Sequence, residues 1–334
     1  MASLAASTMK LLLRMRVKQS DPKSKADLVR HLRNAMNMPM PSRIPQGVVV
    51  NKETIAGVPG EWVTVENPGM TVLYLHGGAF IGGKLSTYHT FCGQLAQRLN
   101  ARIFLPDYRL APEHPYPAAT DDAFNVYRQL SADLKGGEPL VVAGDSAGGN
   151  LTLVTLLRAR DEDYPMPVCA LALSPGADAT GTLRSLSANS DSDAMLSKGM
   201  VDMAVDVYLA GADPTHPYAS PARGNFSGLP PLLVTVSEEE CLRDDAYRVV
   251  YNARQAKVPV ELLSRPDMPH VWVVFPLFLP EAREDMHTLV RFVEKHAVNW
   301  ALQKQRDVPV VRARAKGKSN PKAKPSTQAD SAVH

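Results

Sequence analysis

Residues 144–149 read Gly-Asp-Ser-Ala-Gly-Gly, and they constrain the fold more than any other stretch of this chain. The apolar run Pro139-Leu140-Val141-Val142-Ala143 precedes them, and a segment of helical pattern, Asn150 to Arg160, follows. A buried strand that enters a helix through a turn of very small residues forces the central side chain, Ser146, out of the sheet at the apex. Small neighbours on both sides let the backbone bend tightly and let another group approach the hydroxyl. Gly-x-Ser-x-Gly is short enough to occur by chance, so its meaning depends on partners elsewhere in the chain.

A serine hydroxyl is a poor nucleophile at neutral pH. It needs a base, commonly histidine, a carboxylate that orients the base, and donors aimed at the oxygen that gains charge. Downstream of Ser146 come an acid-rich segment, Ser237-Glu238-Glu239-Glu240-Cys241-Leu242-Arg243-Asp244-Asp245, and then Asp267-Met268-Pro269-His270-Val271-Trp272. Upstream, the apolar strand Thr71-Val72-Leu73-Tyr74-Leu75 runs into His76-Gly77-Gly78-Ala79-Phe80. Each piece alone has an ordinary structural explanation: a turn, a loop histidine, a solvated acidic run. Their order, Ser then acid then His, each piece at the end of an expected strand, is what serine hydrolysis on a parallel sheet requires. His76 stands directly before the glycines and is read as structural.

Strands are expected at Glu61–Glu66, Thr71–Leu75, Arg102–Leu105, Leu140–Ala143, Val168–Leu173, Pro231–Val236 and Val258–Leu263. Helices are expected at Tyr88–Leu99, Pro117–Ala132, Gly148–Arg160, Ser197–Leu209, Asp244–Ala256 and Glu281–His296. Alternation of this kind predicts an α/β fold with a mostly parallel sheet covered on both faces. Several of the strands are apolar throughout, as suits burial on both sides.

The motifs together resemble the hormone-sensitive-lipase-like family of alpha/beta-hydrolase esterases, particularly its bacterial members. The likeness rests on His76-Gly77-Gly78-Ala79-Phe80, on Asp107-Tyr108-Arg109-Leu110-Ala111-Pro112-Glu113-His114-Pro115-Tyr116-Pro117-Ala118-Ala119, and on Gly144-Asp145-Ser146-Ala147-Gly148-Gly149. Leu173-Ser174-Pro175 and Asp267-Met268-Pro269-His270 complete it. It spans roughly residues 25–300.

The resemblance implies Ser146 as nucleophile and His270 as general base. The family's acid falls within Glu240-Cys241-Leu242-Arg243-Asp244, where the spacing selects Glu240 although many relatives carry Asp, and Asp244 is the alternative. The oxyanion hole is expected from the backbone amides of Gly77, Gly78 and Ala147. The likeness also implies a helical cap built from residues 1–45 and about 178–217 over a catalytic domain at 46–300. Phe80, Met195 and Trp272 are expected in the substrate pocket. Asp145 is expected to support the turn by hydrogen bonding, and Arg109 and Glu113 to hold the scaffold through opposite charges. Short- to medium-chain acyl esters are the implied substrates, with no metal and no organic cofactor. Lactone hydrolysis or removal of an N-acetyl group are alternatives for the same machinery, and a non-catalytic binding protein is a more distant one. Relatives of this kind are often homodimers.

Composition bounds the rest. The chain has 334 residues, 45% of them apolar, enough for one large core. No apolar run reaches the ~18 residues of a membrane span, so no stable membrane insertion is expected. Three widely spaced cysteines, Cys92, Cys169 and Cys241, form neither a disulfide framework nor metal-ligand spacing, which suits a reducing, cytoplasmic setting. The start of the chain, through Ser20, is basic and without acids, yet Leu11-Leu12-Leu13 is too short for a secretory core, so a cap helix is preferred there. The net charge of +3 divides unevenly: residues 301–334 hold eight Lys/Arg and two acids, leaving 29 basic and 32 acidic residues elsewhere. That tail is expected to be disordered and solvated, with no nucleic-acid partner; its recruitment to nucleic acid or to an anionic membrane is the alternative.

Overall fold

The computed structural model describes residues 2–18, 22–37, 41–134 and 137–307. Its centre is an eight-stranded sheet: β1 (Val49–Ile55), β2 (Val58–Thr64), β3 (Met70–Leu75), β4 (Ala101–Pro106), β5 (Leu140–Asp145), β6 (Cys169–Leu173), β7 (Leu232–Ser237) and β8 (Val260–Arg265). The spatial order is β1-β2-β4-β3-β5-β6-β7-β8. From β4 to β8 every pairing is parallel, while β2 runs antiparallel to both β1 and β4.

The nine helices of the described residues are α1 (Leu4–Arg16), α2 (Lys25–Met36), α3 (Leu85–Leu99), α4 (Ala118–Leu134), α5 (Ala147–Asp161), α6 (Arg184–Ala188), α7 (Lys198–Leu209), α8 (Arg243–Gln255) and α9 (Pro280–Asp307). The two-residue repeat of a strand divides the core in two. Leu73, Leu75, Val142, Ala170, Val234 and Val236 meet α4, α5 and α8 through Phe124, Tyr127, Leu151 and Val249 on one face. Val72, Tyr74, Val141, Ala143, Leu171 and Leu233 meet α3 and α9 through Phe91, Leu95, Leu289 and Phe292 on the other. Both faces are therefore dry, and the central strands are apolar at nearly every position, with Thr71 and Thr235 among the exceptions.

The seven expected strands and six expected helices are all present, with ends displaced by a few residues except at α9, which runs eleven residues past the expected His296. Strand β1 was not expected. It carries Asn51-Lys52-Glu53-Thr54, is mostly exposed, and lies at the sheet edge, where one face needs no apolar residues. The expected disorder from residue 301 is corrected at its start. Helix α9 continues through Asp307, across the helix-favouring run Ala301-Leu302-Gln303-Lys304-Gln305, with the Lys304 ammonium 4.7 Å above the Trp300 ring. The remainder of the expected tail, 308–334, lies outside the described residues. Among the described residues no helix is long and apolar enough to cross a membrane.

Candidate active site

Ser146 stands between β5 and α5 with φ 54° and ψ −117°, a conformation that strains a residue bearing a Cβ. The packing around it enforces this shape. A Cβ on Gly148 would lie 1.9 Å from the Leu75 carbonyl oxygen, and one on Gly144 2.3 Å from that of Gly148. Only glycine lets α5 start this close to the ends of β3 and β5. The Ser146 amide donates to the Leu173 carbonyl at 2.8 Å, which ties the turn to the end of β6.

His270 comes from the loop after β8, and its Nε2 is 2.9 Å from Ser146 Oγ. Its Nδ1 is 2.7 Å from Glu240 Oε2. Both His270 and Glu240 are buried, at 3% and 1% exposure. The other carboxylate oxygen of Glu240 accepts from Ser174 Oγ and from the Ser237 amide, each at 2.8 Å. The acid is thus aimed by two donors before it meets the imidazole. Burial opposes the charged imidazolium, but the surrounding carboxylates, Glu240 foremost with Asp193 and Asp145 behind it, together outweigh burial, so the His270 pKa is raised above its ordinary 6.5.

The competing acids are engaged elsewhere. Asp244 Oδ2 accepts from the Ser185 amide at 2.9 Å, and its Oδ1 pairs with Arg243. Glu238 accepts from Tyr247 and Ser264, and Glu239 pairs with Lys10. Asp193, between α6 and α7, holds the loop that carries Glu240: its Oδ2 accepts from the Cys241 amide at 2.8 Å. Neither Ser174 nor Asp193 was singled out from sequence. Ser174 stood inside Leu173-Ser174-Pro175, noted there, and Asp193 inside the expected cap segment at about 178–217.

The expected donor set for an oxyanion needs one correction. The Gly77 amide is already committed to Asp145 Oδ1 at 3.0 Å and to the Tyr88 hydroxyl at 2.9 Å. Asp145 also accepts from Tyr74 at 2.9 Å and from Tyr88 at 3.0 Å. Burial raises the Asp145 pKa to about 6 despite the hydrogen bonds from Tyr74 and Tyr88, which pull it down. Asp145 therefore anchors the loop after β3 through the Gly77 amide, and that amide is not free to face a substrate. Among the described residues, no acceptor is paired with the amides of Gly78, Ala79 or Ala147. Ala79, at φ 55°, shares the left-handed turn with Gly78 at φ 133°. His76 is buried, stacks on Tyr108 with ring centroids 4.2 Å apart, and bonds through Nδ1 to the Gly77 carbonyl. Its role is to shape the loop.

Two cavities meet at Ser146. The larger, about 210 Å³, is lined by His270, Gly78 and Ala79, by Leu13 of α1 and Val17 just past its end, by Met36 of α2, by Met195, and by Phe275 and Phe278. The smaller, about 100 Å³, is lined by Ser146, Ala147, Ala79, Phe80, Leu196, and by Met200, Ala204 and Tyr208 of α7. Phe80 stacks on Tyr208 there at 3.7 Å between centroids.

Trp272 belongs to neither cavity, which corrects the sequence expectation. It is fully buried, and its indole N–H donates to Asp285 Oδ2 at 2.8 Å beneath α9. A buried indole requires an acceptor, and Asp285 of α9, fixed by Arg265, supplies one. Its neighbours Val271 and Val274 line the larger cavity instead. Arg109 pairs with Asp122 at 2.7 Å, and Glu113 pairs with Arg33 of α2. Among the described residues no cluster of His, Cys, Asp or Glu is arranged to hold a metal.

Residues 72–274 match the family model described as alpha/beta hydrolase fold. An acetyl-hydrolase of Streptomyces hygroscopicus is 37% identical over 254 residues, which is 75% of this chain and 83% of that protein. The crystal structure of EstE5 soaked with ethyl alcohol superposes with a TM-score of 0.82 at 36% identity, over 89% of this chain and all of that one. An esterase from the bacterial hormone-sensitive lipase family does so with a TM-score of 0.80 at 32% identity, covering 89% of this chain and 99% of its own. With its sheet order, its strained serine turn and these likenesses, the chain belongs to the alpha/beta-hydrolase family, among the hormone-sensitive-lipase-like esterases.

Proposed function

We infer that the chain is a serine carboxylesterase that cleaves short- to medium-chain acyl esters through an acyl-enzyme. The observation that carries the reading is the continuous bonded line from Ser146 Oγ to His270 Nε2, and from His270 Nδ1 to Glu240. Ser146 Oγ attacks the ester carbonyl carbon while His270 Nε2 takes its proton. The carbonyl oxygen gains a negative charge and rests on the amides of Gly78, Ala79 and Ala147, helped by the positive end of α5. The tetrahedral adduct collapses, the C–O bond to the alcohol breaks, and His270 returns its proton to the departing oxygen. Water then repeats the sequence against the acyl-enzyme, with His270 again as base, and releases the acid. Glu240 keeps Nδ1 protonated and stabilises the imidazolium.

Geometry favours one orientation of the ester. The leaving oxygen must come within reach of His270, so the alcohol part belongs in the larger cavity, which His270 lines. The acyl part then occupies the smaller cavity, which Ser146 shares and His270 does not line. A space of about 100 Å³ suits short acyl groups. Helices α1 and α2 and the segment 178–217, as the cap, would enclose both cavities. A small-molecule ester is the expected partner. Buried, unbridged Cys92, Cys169 and Cys241 support a cytoplasmic setting.

The test is a series of p-nitrophenyl esters from acetyl to dodecanoyl, assayed on the wild type and on Ser146→Ala. The wild type should show its highest kcat/KM at short chains, and the variant should lose on the order of 10⁴–10⁶-fold in turnover while remaining folded. A dodecanoyl optimum would refute the acyl assignment. Near-normal turnover by the variant would refute the nucleophile.

A further inference from the structure

Helix α1 is apolar on two opposite sides. Its inner side is in use: Ala6 is fully buried, and Leu13 and Val17 line the larger cavity. The helix is fixed to the body by Ser3 on Glu281, Lys10 on Glu239, and Arg14 and Lys18 on carbonyls of the 190–193 loop. Its outer side faces water with Leu4 at 84%, Leu11 at 58%, Met15 at 49% and Leu12 at 44% exposure. On a helical wheel Leu4, Leu11 and Met15 fall within roughly 40° of one another, with Leu12 beside them. Four of the eleven large exposed apolar side chains among the described residues thus sit on one short helix. A docked helix with a leucine stripe facing outward needs something to cover that stripe.

Charge indicates what covers it. Residues 2–18 contain Lys10, Arg14, Arg16 and Lys18 and no acid. Lys10 is paired with Glu239. Arg14 and Lys18 are held by backbone carbonyls, which leaves their charge in place, and Arg16 is exposed. On the wheel Arg14 and Arg16 stand on opposite borders of the stripe. A second copy laid face to face would bring these like charges together. An anionic bilayer surface answers both features at once, taking the apolar stripe among its acyl chains and the arginines among its headgroups. The inner side of the helix reaches the site: Leu13 lines the larger cavity together with Ser42 and with Phe278, which is 37% exposed.

We propose that α1 lays its outer face on an anionic lipid surface, so that an apolar ester held in that surface is taken up into the larger cavity that the helix's inner side lines. The docking stands on α1 alone. Only the delivery of an ester rests on the esterase reading.

The test uses the full chain, sedimented with phosphatidylcholine vesicles with and without phosphatidylglycerol. The wild type should partition onto the phosphatidylglycerol vesicles and lose that binding at high salt. The triple variant Leu4→Asp/Leu11→Asp/Met15→Asp keeps every basic residue and should bind at least ~10-fold more weakly, with its turnover of water-soluble p-nitrophenyl acetate unchanged. Ser146→Ala should bind vesicles like the wild type, which separates docking from catalysis. If the triple variant loses activity on the soluble ester, the milder Leu11→Ser/Met15→Ser pair, expected to weaken binding in the same direction, decides instead. Absence of wild-type binding, or equal binding by wild type and variant, would overturn the proposal. So would a variant that changes only from dimer to monomer in light scattering, because the stripe would then belong to a second copy.

Discussion

Glu240 and Asp244 lie four positions apart in the chain, and packing alone gives them different work. Glu240 sits just past the end of β7, where Ser174 and the Ser237 amide hold one oxygen and leave the other for His270. Asp244 opens α8 and bonds the Ser185 amide. Glu240→Gln should therefore cut kcat on the order of 10²–10⁴-fold, because the amide can no longer fix the imidazole's tautomer or oppose its charge. Asp244→Asn should stay within about threefold, and steady-state kinetics on p-nitrophenyl acetate would rank the two. The reverse order would move the acid.

The same pairing sets the pH profile. His270 works only when neutral, and the carboxylates around it, Glu240 foremost, raise its pKa above 6.5, so kcat/KM should fall as pH drops through a value above 6.5. In Glu240→Gln that limb should shift to lower pH, since the foremost of the charges that raised it is gone. A wild-type limb below 6.5 would contradict the assignment.

At the scale of elements, the site depends on how closely α5 approaches β3. Gly148→Ala would press a methyl group to 1.9 Å from the Leu75 carbonyl oxygen. Backbone must move, and a cost of about 1–3 kcal/mol is expected, seen as a lowered Tm together with lost turnover. Gly69→Ala is the control: its Cβ would meet only Asn100 Nδ2, at 3.7 Å, and stability should be nearly unchanged. The elements that sequence revealed were those with buried, regular patterns. Strand β5 and helix α5 were plain because both are packed nearly all round. Strand β1 was hidden because an edge strand with one wet face has no apolar repeat. Trp272 misled because aromatic character reveals burial but not direction, and its indole N–H turned toward Asp285. Gly77 misled for a related reason. A glycine before the turn suggests an open amide, yet the Asp145 carboxylate, from the neighbouring strand β5, had taken it.

For the whole molecule, topology performs the assembly. Parallel strands deliver the loop after β3, the turn after β5, the acid after β7 and the histidine after β8 to the same edge of one sheet, though Ser146 and His270 are 124 residues apart. The order of these pieces was legible in sequence because crossover connections in such sheets carry chain order into space. The two cavities and their unequal sizes were not legible, since they depend on where α1, α2 and α7 settle. The central claim is that one hydroxyl carries the chemistry, and stoichiometric labelling with diethyl p-nitrophenyl phosphate followed by peptide mapping tests it most directly. One phosphoryl adduct per chain is expected, on Ser146 alone, with activity lost in step with labelling and no adduct in Ser146→Ala. Labelling at another residue, or full activity in a chain labelled at Ser146, would contradict it.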